Sequence, residues 1–192
     1  MKGRVDPRAA AAGLALLLLA AAPLASAWEW AGTKQLVAHT RDGQRIVLGR
    51  VHFESAAAPQ TFAFDLRLDA ERFTDHFLSM KEFKCIEGRT ELSCHVPYPY
   101  PQPGTVTPTN LAWLEHSLLF LTKQPSEFGA KLWNGVYYQF ELTPQGLRGR
   151  PQAVDLNRIS APPDRPEVPP LRKALRDDMP AGARWIAELT IE

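Results

Sequence analysis

The sequence lacks the short motifs that mark most nucleotide, thiol-redox and serine-hydrolase sites. It contains no G-x-G-x-x-G or Walker-type glycine loop, no C-x-x-C pair and no G-x-S-x-G elbow. Nucleotide binding, thioredoxin chemistry and α/β-hydrolase catalysis therefore lose support, and no motif predicts a cofactor. Catalysis by paired carboxylates leaves no local signature, so a carboxylate-based hydrolase stays an alternative.

Runs of basic charge are also absent. Three of the 22 basic residues and one of the 21 acidic residues fall in the first 27 positions, so the rest of the chain carries 19 against 20 and a net charge of −1 with histidine neutral. Basic residues do not alternate with aromatic ones either. Nucleic acid is therefore not an expected partner.

Only one long hydrophobic run is present, and it lies at the N-terminus. Three basic residues precede an apolar run over residues 9–22, and the small residues Ala25 and Ala27 follow it. The run is shorter than the roughly 20 residues that a transmembrane helix needs. It predicts a secretory signal peptide over residues 1–27, cleaved near Ala27, and a periplasmic or secreted protein with no membrane span.

Cysteine is scarce, and its spacing is informative. In an exported chain, Cys85 and Cys94 predict one structural disulfide. The alternation around them predicts a hairpin in which Cys85 faces Cys94 and Phe83 faces Val96. Ser93 and His95 then share the opposite face, which we interpret as a solvated polar face rather than a hydrolase triad, because an ordinary strand offers no oxyanion donors.

Histidine spacings typical of metal sites are missing: none of the five histidines lies in H-x-H or H-E-x-x-H. The best local cluster is Glu71, Asp75 and His76, which a turn of helix would bring to adjacent faces. His95 could join them if the disulfide hairpin lies nearby. A polar turn anchored by two phenylalanines is the favoured interpretation, and no metal ligand is assigned.

Period-two alternation dominates the remaining chain. Apolar residues alternate with polar ones over residues 61–69, 136–142 and 185–191. Asp42-Gly43 suits a two-residue hairpin loop, and Pro144-Gln145-Gly146 suits a second turn. The pattern predicts a mostly β, single-domain fold over residues 28–192, with seven or eight antiparallel strands in a barrel or a two-sheet sandwich.

Helical patterns are short. Thr107 can cap a helix that begins at Pro108 and ends near His116, before an apolar strand over residues 117–122. A second short helix is predicted over residues 170–176. The proline-rich tract at residues 161–170 has little apolar content and predicts a strap within the domain.

Proline occupies every second position from Pro97 to Pro103, with Tyr98 and Tyr100 between the rings. Because proline has no N–H, this strip predicts an edge strand that cannot pair on its proline side. The two tyrosines are a candidate binding platform or part of the core. Trp133 and Tyr137 flank the start of the 136–142 strand, where aromatic side chains often line cavities.

These features favour an exported, non-catalytic β-rich protein that binds a small apolar or aromatic ligand, or an envelope partner. The predicted binding residues are Tyr98, Tyr100, Trp133 and Tyr137. Two alternatives stay open. One is an envelope adaptor or assembly factor with an exposed aromatic patch, and the other is a metal-dependent or carboxylate-based hydrolase around Asp75, His76 or His95.

Overall fold

A computed structural model describes residues 28–78, 81–159 and 161–192. The predicted signal peptide at residues 1–27 lies outside the described residues. Within the described ranges, no helix is long and apolar enough to cross a bilayer.

The described residues form strands linked by short helical turns. The strands are β1 (Gly32–Thr40), β2 (Arg45–Ser55), β3 (Phe62–Leu68), β4 (Thr74–Leu78), β5 (Lys81–Glu87), β6 (Leu92–His95), β7 (Thr105–Val106), β8 (Phe120–Lys123), β9 (Gly135–Thr143), β10 (Gly146–Val154), β11 (Arg176–Asp178) and β12 (Ile186–Ile191). The α-helix is α1 (Ala112–Ser117), and 3-10 turns cover Ala70–Arg72, Leu132–Asn134, Leu156–Ile159 and Lys173–Leu175.

The strands join in one twelve-stranded sheet in the order β4-β5-β6-β8-β9-β10-β12-β1-β2-β3-β7, with β11 added beside β10. The strand pairs are antiparallel. The prediction of a mostly antiparallel β fold is therefore confirmed. The sheet is not closed into a barrel, because its path ends at β4 and β7. The strand count exceeds the predicted seven or eight chiefly through short strands such as β4, β7 and β11.

The two halves of the sheet face each other across a first hydrophobic cluster. One half contributes residues such as Leu36 and Val51, and the other contributes residues such as Phe120 and Tyr138. A second cluster covers the outer face of the β5-β6-β8-β9 half, where Cys85 and Leu121 pack against Trp113 and Leu171. Within that half, β8 and the first residues of β9 are therefore buried on both faces, whereas Lys84 of β5 and Gln139 of β9 are exposed.

The disulfide hairpin has the predicted register. Cys85 pairs with Cys94 across β5 and β6 and is bonded to it. The prediction of a solvated opposite face is wrong, because Ser93 is 1% exposed and Ile86 is also buried. Alternation shows which side chains share a face, but it does not show that the other half of the sheet covers that face.

The hairpin turns differ in length from the prediction. The β1–β2 loop spans residues 41–44 rather than Asp42-Gly43 alone, since the Thr40 N–H donates to the Gln44 carbonyl at 3.0 Å. Gly43 has a φ of 82°, a left-handed conformation that suits glycine. The β9–β10 turn and the C-terminal strand β12 lie where the sequence predicts them.

The proline strip is not a regular strand over residues 96–104. Two of its N–H groups nevertheless pair with the last residues of α1 and the segment that follows it: Val96 donates to the Leu119 carbonyl at 2.9 Å and Tyr98 to the His116 carbonyl at 3.0 Å. All four prolines are exposed, whereas Tyr98 is buried and Tyr100 is half-buried. The strip therefore turns its rings of proline outward and its tyrosines inward.

The helical predictions are corrected in detail. The predicted helix from Pro108 begins only at Ala112, because Thr107 and Asn110 form an isolated bridge. The segment predicted as a helix over residues 170–176 holds only the 3-10 turn Lys173–Leu175 and then enters β11.

Candidate functional site

Two concave sites lie where irregular segments meet the sheet. The apolar groove lies between the β4–β5 hairpin, the proline strip and the 3-10 turn Leu156–Ile159. The strap cleft lies between α1, β9 and the C-terminal end of the proline-rich tract. Their volumes are similar, about 350 Å³ and about 380 Å³.

Hydrophobic side chains form most of the apolar groove, and Lys81 is the charged residue among those that line it. The Lys81 Nζ lies 5.7 Å from the centroid of the Phe83 ring, so the cation sits on an aromatic face. The lining residues are Leu78, Lys81, Phe83, Val96, Pro97, Pro99, Tyr100, Ala130, Leu132, Leu156 and Ile159.

The four predicted binding residues occupy different places. Tyr100 lines the apolar groove and Tyr137 lines the strap cleft. Tyr98 is buried between them, with its ring centroid 5.5 Å from that of Tyr100. Trp133 is 62% exposed on the 3-10 turn Leu132–Asn134 and lines neither site. The structure therefore does not gather the four aromatic side chains into one platform.

Tyr98 belongs to the core rather than to a surface. Its ring lies 5.9 Å from Trp113 and 6.0 Å from His116, measured between centroids. Burial raises the pKa of its phenol. The hydroxyl has no hydrogen-bond partner among the described residues. The ring of Tyr98 thus packs against the ring of Tyr100 from the core side, and it does not form an exposed binding surface.

A buried carboxyl forms the floor of the strap cleft. Glu115 of α1 is 6% exposed, and its Oε1 accepts the Phe140 N–H at 2.7 Å. Its Oε2 accepts the hydroxyl of Tyr137. Burial raises the pKa of Glu115, although both hydrogen bonds oppose that effect. Burial, followed by the charge of Glu115, raises the pKa of Tyr137 far above its ordinary value, so Tyr137 remains a hydrogen-bond donor.

Arg176 closes one side of the same cleft. Its guanidinium carbon lies 4.4 Å from the centroid of the Tyr137 ring, a cation–π contact. Its Nε is buried and has no hydrogen-bond partner among the described residues. No ion pair joins Arg176 to a carboxylate within the part of the chain that the structure describes.

His116 ties the strap to α1. Its Nδ1 donates to the Ala112 carbonyl at 2.6 Å, and its Nε2 accepts the Leu171 N–H at 3.1 Å. Because the backbone N–H must donate, the ring is the neutral tautomer with its proton on Nδ1. Burial lowers the pKa of His116 to about 4, consistent with that neutral form.

The candidate metal cluster of the sequence analysis does not form. Asp75 and His76 lie on strand β4, not on a helical turn, so successive side chains point to opposite faces. Asp75 pairs with Lys84, His76 hydrogen-bonds Glu87 at 2.8 Å, and the Nε2 of His95 donates to the Ser117 carbonyl at 2.8 Å. Among the described residues, no three His, Cys, Asp or Glu side chains are grouped to hold a metal ion.

An exposed aromatic patch lies at one edge of the sheet. Phe77 of the terminal strand β4 is 76% exposed and Phe128 is 95% exposed. Both line a broad surface depression of about 850 Å³.

Sequence reasoning missed Glu115 and Arg176, which give the strap cleft its polarity, and His116, which ties the strap to α1. Nothing in their local sequence marks them, because they come together only when the strap packs on α1. Comparison with known proteins found no matching family model, no matching curated protein and no matching solved structure. Function is therefore argued from geometry alone.

Proposed function

We propose that this protein is a non-catalytic binding protein that holds a small apolar or aromatic molecule in the apolar groove, in contact with Tyr100. The observation that carries the proposal is a groove of about 350 Å³ whose lining is hydrophobic except for Lys81. That volume lies in the range of small-molecule sites, which are concave and mostly apolar. Burying apolar ligand surface there would contribute about 25 cal/mol per Å² before the costs of association.

The walls of the groove support this proposal because they are held in place before a ligand arrives. Phe83 belongs to the hairpin that the Cys85–Cys94 bond closes. Pro97 and Pro99 also line the groove, and their rings restrict the backbone there. A preformed site spends little binding free energy on ordering its own side chains.

The proposed location of the protein is outside the cytoplasm. The Cys85–Cys94 disulfide is a bond that persists in oxidising compartments. Together with the predicted leader at residues 1–27, it favours a periplasmic or secreted protein, where small apolar molecules need a carrier to stay dissolved in water.

The test is titration with N-phenyl-1-naphthylamine, a neutral probe that fluoresces when it leaves water. We expect saturable binding at one site, and Leu132→Lys should weaken it at least tenfold because it places an ammonium group in the apolar wall. Tyr100→Ala should weaken it as well. Phe128→Lys is the matched control, since it adds the same charge to an exposed aromatic position outside the groove.

Unchanged probe affinity in folded Leu132→Lys and Tyr100→Ala protein would overturn the groove proposal. Folding of each variant is checked by near-ultraviolet circular dichroism and by the melting temperature. If Phe128→Lys alone abolishes binding, the probe occupies the exposed aromatic patch instead.

The second candidate function is an envelope adaptor that acts through Phe77 and Phe128. The observation that favours it is the exposure of both rings beside β4, which among the described residues is an end strand of the sheet and pairs with β5 alone. Sedimentation velocity distinguishes the candidates: a concentration-dependent dimer lost in Phe77→Lys, with no probe binding in the groove, would favour the adaptor.

A further inference from the structure

We propose that the strap cleft is a second binding site, which takes a small organic monocarboxylate with an apolar or aromatic body and holds its carboxylate on Arg176. The inference is independent of the apolar groove, because the two sites share no lining residue. Its support is the position of an arginine that makes no ion pair with a described carboxylate.

The guanidinium of Arg176 has a buried hydrogen-bond donor that no described residue accepts. A buried arginine nitrogen normally has a hydrogen-bond partner. The Nε of Arg176 is buried without one among the described residues, and its guanidinium is stacked on Tyr137 rather than paired. A guanidinium in this state has donors to offer, and its planar fork matches the two oxygens of a carboxylate.

Glu115 makes no ion pair with Arg176 among the described residues. Its carboxylate is instead held by two other donors, since Oε1 accepts the Phe140 N–H and Oε2 accepts the Tyr137 hydroxyl. Tyr137 therefore connects the two groups: its hydroxyl is held by Glu115 and its ring face supports Arg176. Glu115 and Tyr137 act as positioning residues that hold the guanidinium at the wall of the cleft.

The side chains that line the cleft carry an excess of positive charge. Arg172 and Arg176 line it without an ion pair to any described carboxylate, whereas Glu141 on the same wall is paired with Arg150 at 3.3 Å. With Glu115 ionised, the two free arginines leave an excess of one positive charge. One positive charge suits a monoanion, which it neutralises, better than a phosphate dianion, which would leave the occupied cleft with a net negative charge.

The cleft also has an apolar wall, which suits the apolar part of the ligand. Apolar side chains line the cleft beside the charged ones, including Leu111, Phe140, Leu142 and Pro169. The volume of about 380 Å³ holds a small aromatic ring with its carboxylate. The cleft thus presents one cationic end and an apolar wall, as an aromatic or short aliphatic carboxylate requires.

The experiment titrates the purified protein with benzoate and, separately, with benzyl alcohol, its uncharged counterpart. Two-dimensional ¹H–¹⁵N spectra follow the arginine Nε–H signals together with the backbone amides. We expect benzoate to shift the Nε–H signal of Arg176 and the amides of Phe140 and Leu171. Benzyl alcohol should bind at least tenfold more weakly.

Arg176→Met keeps the apolar contact with Tyr137 and removes the charge, so benzoate affinity should fall at least tenfold. Arg67→Met is the matched control, because Arg67 is an exposed arginine whose partner is Asp65 on a strand outside the cleft. It should retain wild-type affinity. If Arg176→Met melts well below the wild type, Arg176→Lys, which keeps the charge but loses the fork, replaces it and should show a smaller but measurable loss.

Three results would overturn the proposal. They are equal affinities for benzoate and benzyl alcohol, unchanged benzoate affinity without the Arg176 guanidinium, and an Arg176 Nε–H signal that does not move at saturation. None of them bears on N-phenyl-1-naphthylamine binding in the apolar groove, so the two proposals fail separately.

Discussion

Acid should destabilise the fold through one buried imidazole, that of His116. Its Nε2 accepts the Leu171 N–H, so a proton on that nitrogen removes the bond and places two hydrogens face to face. The cation would lie near Arg176, whose charge already disfavours it. The rings of Tyr98, Trp113 and Tyr137 surround the imidazole and provide no carboxylate to stabilise a positive charge.

The size of the effect follows from the pKa of His116. Burial lowers that pKa from 6.5 to about 4. Because the folded-state pKa lies below the unfolded one, the unfolded chain binds the proton more readily, and stability rises with pH. The contribution is present above pH 6.5 and is lost as the pH falls toward 4. At about 1.4 kcal/mol per pH unit, the gap corresponds to about 3 kcal/mol of unfolding free energy.

Urea unfolding of the wild type and of His116→Gln at several pH values between 7 and 4 measures this contribution. The glutamine amide can accept from Leu171 and donate to Ala112, but it does not titrate. We expect His116→Gln to be less stable at pH 7 and to lose about 3 kcal/mol less than the wild type on acidification. Carboxyl groups elsewhere titrate in both proteins and cancel in this comparison.

His52→Gln is the control, because it removes an exposed histidine from β2 and should leave the pH dependence of the wild type unchanged. Parallel stability curves for the wild type and His116→Gln would refute the reasoning. They would mean that the folded protein accommodates the imidazolium, and that the His116–Leu171 bond does not hold the strap.

Three further predictions concern the sheet. Replacing Cys85 and Cys94 together by alanine should lower the unfolding free energy by about 2.5–3 kcal/mol, the chain-entropy value for so short a loop, and a loss below about 1 kcal/mol in urea unfolding would contradict it. Gly49→Ala should cost at least about 2 kcal/mol, because its Cβ would lie 2.2 Å from the Arg67 carbonyl oxygen. Gly32→Ala has open space around it and only a left-handed backbone to oppose it, so thermal unfolding should show a loss of about 1 kcal/mol.

Local alternation predicted the parts of the fold that depend on neighbouring residues. The register of the Cys85–Cys94 hairpin followed from the spacing of the two cysteines and the period of two. The same period predicted that the prolines and tyrosines of the strip point to opposite sides, as their exposure confirms. Both predictions needed only the geometry of an extended chain.

Local sequence patterns did not predict which face of a strand is buried. Tyr137 follows the polar alternation of β9 with Gln139 and Glu141, yet it is 1% exposed while those two are exposed. It is covered because α1 and the strap pack over the start of β9 only. The difference in exposure between Tyr137 and the later residues of β9 depends on segments 20 or more residues away in sequence. No pattern within the strand can predict it.

The strap cleft could not be predicted for the same reason. Glu115 and His116 read as ordinary polar residues at the end of a short helix, and Arg176 reads as one of several arginines near the C-terminus. For Trp133, a position at the start of a strand does not tell which way the preceding turn directs the ring. Its turn directs it to solvent.

Both proposed sites lie where irregular segments, rather than another part of the sheet, cover the strands. The first cluster fills the space between two halves of a regular sheet, whose alternating side chains interdigitate as in other close-packed interiors. The proline strip and the strap cannot pack so evenly, because proline rings and irregular backbone do not repeat with the period of the strands beneath them. Gaps therefore remain at the edges of both segments, and side chains of the strands and of the covering segments line them together: hydrophobic ones beside Tyr100, charged ones beside Arg176. The covering segments therefore contribute to ligand preference as well as to access, since Tyr100 belongs to the proline strip and Glu115 to α1.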